Sequence, residues 1–275
     1  MIDSPKSPRR THWVREARNV AGLLLLVLGF HSLVAKPFYI PSESMMPGLQ
    51  VGDRLLVSKY PYGWSYASAS FHLLPSMQGR LFGRIPQRGD IVIVTRPGPG
   101  RREDLIKRVV GLPGDRVQMV RGRLWLNGSP VPTQDLGYRR FRADSNLRCP
   151  ATDPEPRPGS DPGEGYCRLH VLRETLPGGR SYDVIDLHRS RQDDTAPFDV
   201  PPGHVFLLGD NRDNSADSRF PLTSGGLGGA VPLEAVGGRA EFVSFSLKGE
   251  ATWNPLTWPS NFRTDRFGAS LRPEG

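Results

Sequence analysis

The chain has 275 residues, enough for one large domain or a domain carrying an insertion, and its 31 glycines and 27 prolines favour turns and short strands over long helices. A net charge of +8 and an isoelectric point near 9.9 imply an anionic partner, either nucleic acid or an anionic lipid surface. The basic residues are scattered and no helix-turn-helix, zinc-finger or aromatic RNA-binding pattern accompanies them, which argues against nucleic acid and for the lipid bilayer.

Residues 1–19 form a basic tail, with Lys6, Arg9, Arg10, Arg15 and Arg18 against Asp3 and Glu16. Val20 to Ala35 is apolar, broken only by Gly22, Gly29, His31 and Ser32. Sixteen helical residues span ~24 Å, short of the ~30 Å hydrocarbon core, so Trp13 and Lys36 are needed as interfacial anchors. The segment 20–36 is therefore read as one N-terminal transmembrane helix, with 1–19 cytoplasmic and everything after Lys36 across the membrane. Two other readings compete. A cleavable signal wants small residues at the first and third positions before the cut, and Ala35 with Leu33 before it and Lys36-Pro37 after it is a poor site. A buried core helix should show a polar face, and Ala21 to Leu28 shows none.

Next comes Ile40-Pro-Ser-Glu-Ser-Met-Met-Pro-Gly-Leu49. The prolines are expected to hold it extended, so that it is either a linker turn or a stiff segment that aims its serine hydroxyls. Gly52 to Lys59 reads as a turn and a strand, Tyr60 to Gln87 as an irregular excursion, and Arg88 to Thr95 as a turn and a buried β-branched strand. Leu105 to Val110, Arg116 to Val120 and Arg123 to Leu126 continue the series of strands and hairpins. From Pro130 to Pro202 the composition shifts to Pro, Asp, Arg and Gly with short apolar runs, as in an inserted subdomain with mobile loops. Cys149 and Cys167 lie there without zinc-site spacing; a disulfide is reasonable outside the cytosol, and two free thiols are the alternative. His204 to Leu208 and Arg239 to Leu247 are further strands, and Trp253 and Trp258 in the tail suit a membrane interface or ordinary packing. The soluble part is mainly β: a catalytic core in two parts, 37–129 and 203–250, around the insert at 130–202, with a C-terminal tail at 251–275.

Amide cleavage needs a nucleophile, a base that later returns the proton, and donors for the developing oxyanion. The six histidines lie in the apolar run, in loops or at a strand entrance, and neither Gly-x-Ser-x-Gly nor Ser-x-x-Lys occurs, although a triad could still assemble from distant positions. Only five residues are lysine, and one, Lys107, stands inside a strand-like run. Alternation puts it with Leu105 and Val109, opposite Ile106, Arg108 and Val110. If that face is inward the amine is desolvated and becomes a base near neutral pH; if the strand is an edge, the lysine is a solvated guard against aggregation.

Three stretches in this order, Pro-Ser-x-Ser-Met-x-Pro from Pro41, Lys-Arg-Val-Val-Gly-Leu-Pro-Gly-Asp from Lys107, and Gly-Asp-Asn-Arg-Asp-Asn-Ser-x-Asp-Ser-Arg from Gly209, resemble the boxes of the type I signal peptidases. The resemblance implies an antiparallel β-sheet, barrel-like core and a serine endopeptidase that cleaves signal peptides from secreted preproteins after small residues, through an acyl-enzyme. It implies Ser44 as nucleophile, Lys107 as general base, Ser42 as an oxyanion donor beside the Ser44 N–H, and Ser215 as a hydrogen-bond partner that orients the lysine. Asp210, Asp217 and Arg219 would brace that loop, and Phe38, Ile40 and Ile106 would line shallow pockets. It implies no metal or cofactor, a monomer, and a single-pass protein of the inner (plasma) membrane. The likeness covers roughly Lys36 to Gly128 and Val205 to Phe245 with the anchor, and departs at Gly48, where the family usually has threonine. A specialised processing peptidase, a self-cleaving repressor relative, and an inactive membrane-tethered β scaffold are the other readings; the repressor lacks support because no DNA-binding domain is present.

Overall fold

The computed structural model describes residues 9–72, 74–98, 102–143, 146–147, 165–249 and 261–272. It opens on a helix, α1 (Arg9–Leu33), whose Leu23, Leu24, Leu25, Leu26 and Phe30 are more than half exposed. Among the described residues no helix is long and apolar enough to cross a membrane. The expected span of 20–36 is corrected at both ends. The helix begins at Arg9, where Arg, Glu and Ala continue it in the N-terminal direction, and it stops at Leu33. Ala35 and Lys36 already belong to a strand, because Pro37 restricts the residue before it to extended backbone and offers no N–H.

The strands are β1 (Ala35–Tyr39), β2 (Asp53–Ser58), β3 (Ile91–Thr95), β4 (Asp104–Gly111), β5 (Arg116–Val120), β6 (Arg123–Leu126), β7 (Ser129–Pro130), β8 (Thr133–Ala143), β9 (Gly165–Thr175), β10 (Ser181–Ile185), β11 (Phe198–Asp199), β12 (His204–Leu208), β13 (Val231–Pro232) and β14 (Val236–Ser246). A seven-stranded sheet has the order β1-β2-β14-β3-β4-β12-β13, with every neighbouring pair antiparallel. β4 therefore lies inside the sheet, and Lys107, opposite Val92, is not on an edge.

The β-branched run of β3 explains why this sheet is buried on both faces. Val92 and Val94 join Val109, Val205 and Leu207 in one apolar cluster, whereas Ile91 and Ile93 join Ile106, Leu55 and Val57 in another. The last long strand, expected to alternate from Arg239 to Leu247, begins at Val236 and shifts register between Val236 and Gly238 against β3, and between Ala240 and Phe242 and between Val243 and Phe245 against β2, which breaks the alternation.

A four-stranded sheet (β11-β5-β6-β7) and a three-stranded sheet (β10-β9-β8) complete the fold. Where loops were expected after Pro130, β8 and β9 form a hairpin of two eleven-residue strands. Cys167, fully buried in β9, is disulfide-bonded; Cys149 lies outside the described residues, as do Trp253 and Trp258.

Residues 261–272 return to the core. Arg266 donates from Nε and Nη2 to the buried Asp53 carboxylate at 2.9 and 2.6 Å, and from Nη2 to the Gly48 carbonyl at 2.9 Å. Removing one member of a buried pair leaves the other charged and unmatched. Arg266→Ala should therefore lower stability by about 3–5 kcal/mol in urea unfolding, whereas Arg116→Ala, at an exposed pair with Asp199, should leave the midpoint unchanged.

Candidate active site

The serine stretch is not extended. Met46 N–H donates to the Glu43 carbonyl at 3.0 Å and Leu49 N–H to the Met45 carbonyl at 2.9 Å, so residues 42–49 run as successive turns, with Met46-Pro47 cis. Burial of Met45, Met46 and Leu49 in the apolar clusters favours this turned path over an extended one. This folding leaves Ser44 facing β4. Lys107 Nζ donates to Ser44 Oγ at 3.1 Å and to the Ile106 carbonyl at 2.9 Å. Ser42 Oγ lies 3.4 Å from Ser44 Oγ, and no described histidine bonds to either hydroxyl.

Lys107 is 2% exposed and forms no ion pair among the described residues. Burial lowers its pKa below the ordinary lysine value; Asp217 and Asp210 work against that shift, and Arg219 works with it. Both carboxylates are already engaged. Arg108, whose side chain leaves the strand beside Lys107, donates from Nε and Nη2 to Asp210 at 2.7 and 2.6 Å. Arg219 donates to Asp217 from Nε and Nη2 at 2.9 Å each, and the Gly209 N–H adds a bond at 3.0 Å. Burial alone would raise Asp217; Arg219 and those amide bonds hold its pKa below the ordinary carboxylate value.

The loop after β12 reaches the serine through backbone. Asn211 N–H donates to the Ser44 carbonyl at 3.1 Å, while its side-chain amide reaches the Glu43 carbonyl and that of Asn214 the Glu43 carboxylate. Gly209 permits this approach: a Cβ there would stand 2.0 Å from Ser215 Oγ and 2.6 Å from the Ser44 carbonyl oxygen. Ser215 is the exception among the expected contacts. Its hydroxyl is buried beside Gly209 with no hydrogen-bond partner among the described residues, and the lysine's second bond goes to Ile106 instead.

Ile40 and Ile106 belong to one apolar cluster, with Phe38 packed against it; Ile40 is a closed core side chain and Ile106 keeps a small exposed edge. Gly48 has room for a side chain, since an added Cβ would approach nothing nearer than Asp210 Oδ2 at 3.5 Å.

Sequence reasoning missed a second buried network. Tyr182 of β10 and Arg212 both donate to Glu174 of β9 at 2.6 Å, and Arg108 lies over the Tyr182 ring at 4.2 Å. The signal available was Arg108 itself, a second cation in an apolar strand next to the first.

An antiparallel β-sheet protein that presents a serine hydroxyl to a buried amine has the makings of a hydrolase. The family described as signal peptidase, peptidase S26, matches residues 11–245, and the chain belongs to it. It is 33% identical over 247 residues to signal peptidase I of Rickettsia typhi, covering 87% of this chain and 80% of the relative. It is 31% identical over 279 residues to signal peptidase I of Rickettsia conorii, covering 98% and 92%. A solved signal peptidase I of Enterococcus faecalis, 25% identical, aligns over 56% of this chain and 95% of its own with a TM-score of 0.28. The chain is thus a peptidase, and its family supports signal-peptide cleavage as the activity.

Three substitutions test the packing of the site. Asp210→Ala should cost about 3–5 kcal/mol by stranding Arg108 in the interior, read by denaturant unfolding. Gly209→Ala should reduce peptide turnover at least tenfold, because the Ser44 carbonyl must shift, whereas Gly48→Ala should leave turnover within twofold.

Proposed function

We propose that the chain is a membrane-anchored serine endopeptidase that removes signal peptides from secreted preproteins with a Ser44/Lys107 dyad. The observation that carries this reading is the 3.1 Å contact between Ser44 Oγ and the Nζ of a lysine that is 2% exposed. Neutral Lys107 takes the Ser44 proton as Oγ attacks the scissile carbonyl, and returns it to the leaving amine as the acyl-enzyme forms. A water deprotonated by the same amine then releases the acyl group, which is the signal peptide. The Ser44 N–H donates to no described acceptor, which leaves it available to the oxyanion, with the exposed Ser42 hydroxyl beside it. Ser215 acts in this scheme by packing against Gly209 within the loop, and Asp210, Asp217 and Arg219 by holding that loop in place.

Substrate pairs in extended form with the outer edge of β1, which leads directly into the serine turns. Small residues are selected because Phe38 and Ile106 leave only shallow space over a core that Ile40 fills. Residues 37–129 and 203–250 constitute the catalytic core, 130–202 the inserted subdomain and 251–275 the tail. The exposed leucines of α1 seat the chain in the inner (plasma) membrane as a monomer, residues 1–19 facing the cytoplasm and the sheets the other side. From Val20 to Leu33 the helix reaches only about 21 Å, so Arg15 and Arg18 extend to the headgroups.

The pH profile provides the test. Because burial depresses the folded-state pKa of Lys107, kcat/KM should rise through that lowered pKa and reach its plateau below the ordinary lysine value of about 10.4. Protonating the buried amine also works against folding, so the same group withdraws stability as pH falls, most fully below its folded-state pKa. Ser44→Ala and Lys107→Arg should each cut turnover of a preprotein by at least about 10⁴-fold, and the double variant scarcely further, since the two act as a unit. Substantial activity in Lys107→Arg with the same limb would sink the dyad.

A further inference from the structure

Asp186, Asp193 and Asp213 come from three separate segments, yet each offers a carboxylate oxygen within 4.8 Å of the others. Asp186 follows β10, Asp193 sits in a short 3₁₀ turn, and Asp213 lies in the loop after β12, two residues before Ser215. Neutral donors pin two of them. The Leu187 and His188 amides donate to Asp213 Oδ2 at 2.6 and 3.1 Å, and Ser190 donates to Asp193 from its N–H at 2.8 Å and its hydroxyl at 3.0 Å.

Asp213 has its side chain 2% exposed, and its second oxygen, Oδ1, is buried with no hydrogen-bond partner among the described residues. Asp186 stands within hydrogen-bond reach of the same carboxylate, and burial with Asp213 and Asp193 beside it raises its pKa to about 6; once ionised it is no donor. Cations do little to relieve the crowding. Arg212, which lowers the Asp186 pKa from a distance, gives its Nη2 to Glu174 and its Nε to the Gly209 carbonyl, and its buried Nη1 bonds to none of the three carboxylates. The imidazole of His188, on a side chain more than half exposed, comes no nearer than 3.7 Å to Asp213 Oδ2. Gly122 covers one side of the group, and a Cβ there would stand 2.8 Å from Asp186 Oδ2, so backbone rather than side chain closes the site.

We infer that Asp186, Asp193 and Asp213 bind a hard divalent cation of the calcium type, which fastens the insert to the loop that holds Ser44. The donor set is all oxygen, which suits calcium and disfavours zinc and copper, and backbone carbonyls or water can complete a six- to eight-fold shell. The ion is structural and lies outside the bond-breaking chemistry. Its influence on the serine passes through Asn211, in the same loop, whose N–H holds the Ser44 carbonyl.

The test uses the full-length chain in detergent micelles at pH 7.5, with calcium chloride from zero to 10 mM against EDTA, and sodium chloride matched for ionic strength. Calcium should raise Tm by about 3–6 °C, magnesium by less and sodium not at all. Asp186→Asn should abolish the calcium shift while its Tm in EDTA stays at or above that of the parent, because one of three crowded like charges has gone. A parent Tm indifferent to calcium, a shift reproduced by sodium chloride, or a full shift retained in Asp186→Asn would each overturn the inference. If Asp186→Asn does not fold, terbium luminescence of the parent decides: sensitised emission displaced by calcium supports the site, and emission unaffected by calcium rejects it.

Discussion

The chemistry proposed at the serine depends on one interaction: a buried amine that must stay uncharged in the company of two carboxylates. An isolated carboxylate within about 4–6 Å would favour the ammonium form and disarm Lys107 as a base. Here Asp210 and Asp217 each face a guanidinium of their own, Arg108 and Arg219, through paired hydrogen bonds. The local charge is close to balanced, and desolvation sets the direction of the lysine's shift. Strand geometry makes this arrangement compact. Lys107 and Arg108 are consecutive in β4 and leave it on opposite faces, so one residue serves the serine while the next neutralises the loop behind it.

These buried pairs are poor devices for stability as such, since desolvating both charges consumes most of what their attraction returns. Three of them join segments far apart in sequence. Arg108–Asp210 ties β4 to the loop after β12, Arg212–Glu174 ties that loop to the three-stranded sheet, and Arg266–Asp53 ties the C-terminal segment to the start of β2. The apolar clusters on the two faces of the large sheet supply the driving force for folding, and the ion pairs fix which segments meet at Ser44. That division explains how a short polar loop can be placed closely enough to hold the Ser44 carbonyl through Asn211.

Much of this was legible in the sequence. The β-branched run at Ile91–Thr95 and the hairpin residues around β5 and β6 announce strands by composition alone, and the three boxes identify the family and bring Ser44 and Lys107 forward together. The pairing of β8 and β9 was overlooked: polar residues dominate β8, but in β9 Cys167, Leu169 and Val171 alternate with Arg168 and His170, a strand signal that the Pro- and Gly-rich surroundings obscured. The turns at 42–49 were misread because proline rules describe local preference, while the burial of Met45, Met46 and Leu49 is a tertiary effect. Glu174, Arg212 and Arg266 were invisible for the same reason: a buried charge looks like a surface charge until its partner is known. Ser215 shows the limit of carrying a role over by likeness, since its hydroxyl lies in the right loop without the expected bond.

The central claim is that Lys107 is neutral at a pH where an ordinary lysine is charged. Its most direct test is the titration of the lysine side chains by NMR in the full-length chain carrying ¹³C-labelled lysine, a tractable set because only five are present. Lys107→Arg and Lys59→Arg assign the two buried ones, Lys59 itself being pushed down to about 8 by burial and by Lys36. Deprotonation driven by burial predicts a Lys107 signal that titrates clearly below the ordinary lysine value of about 10.4. A Lys107 signal that titrates at that ordinary value would contradict it.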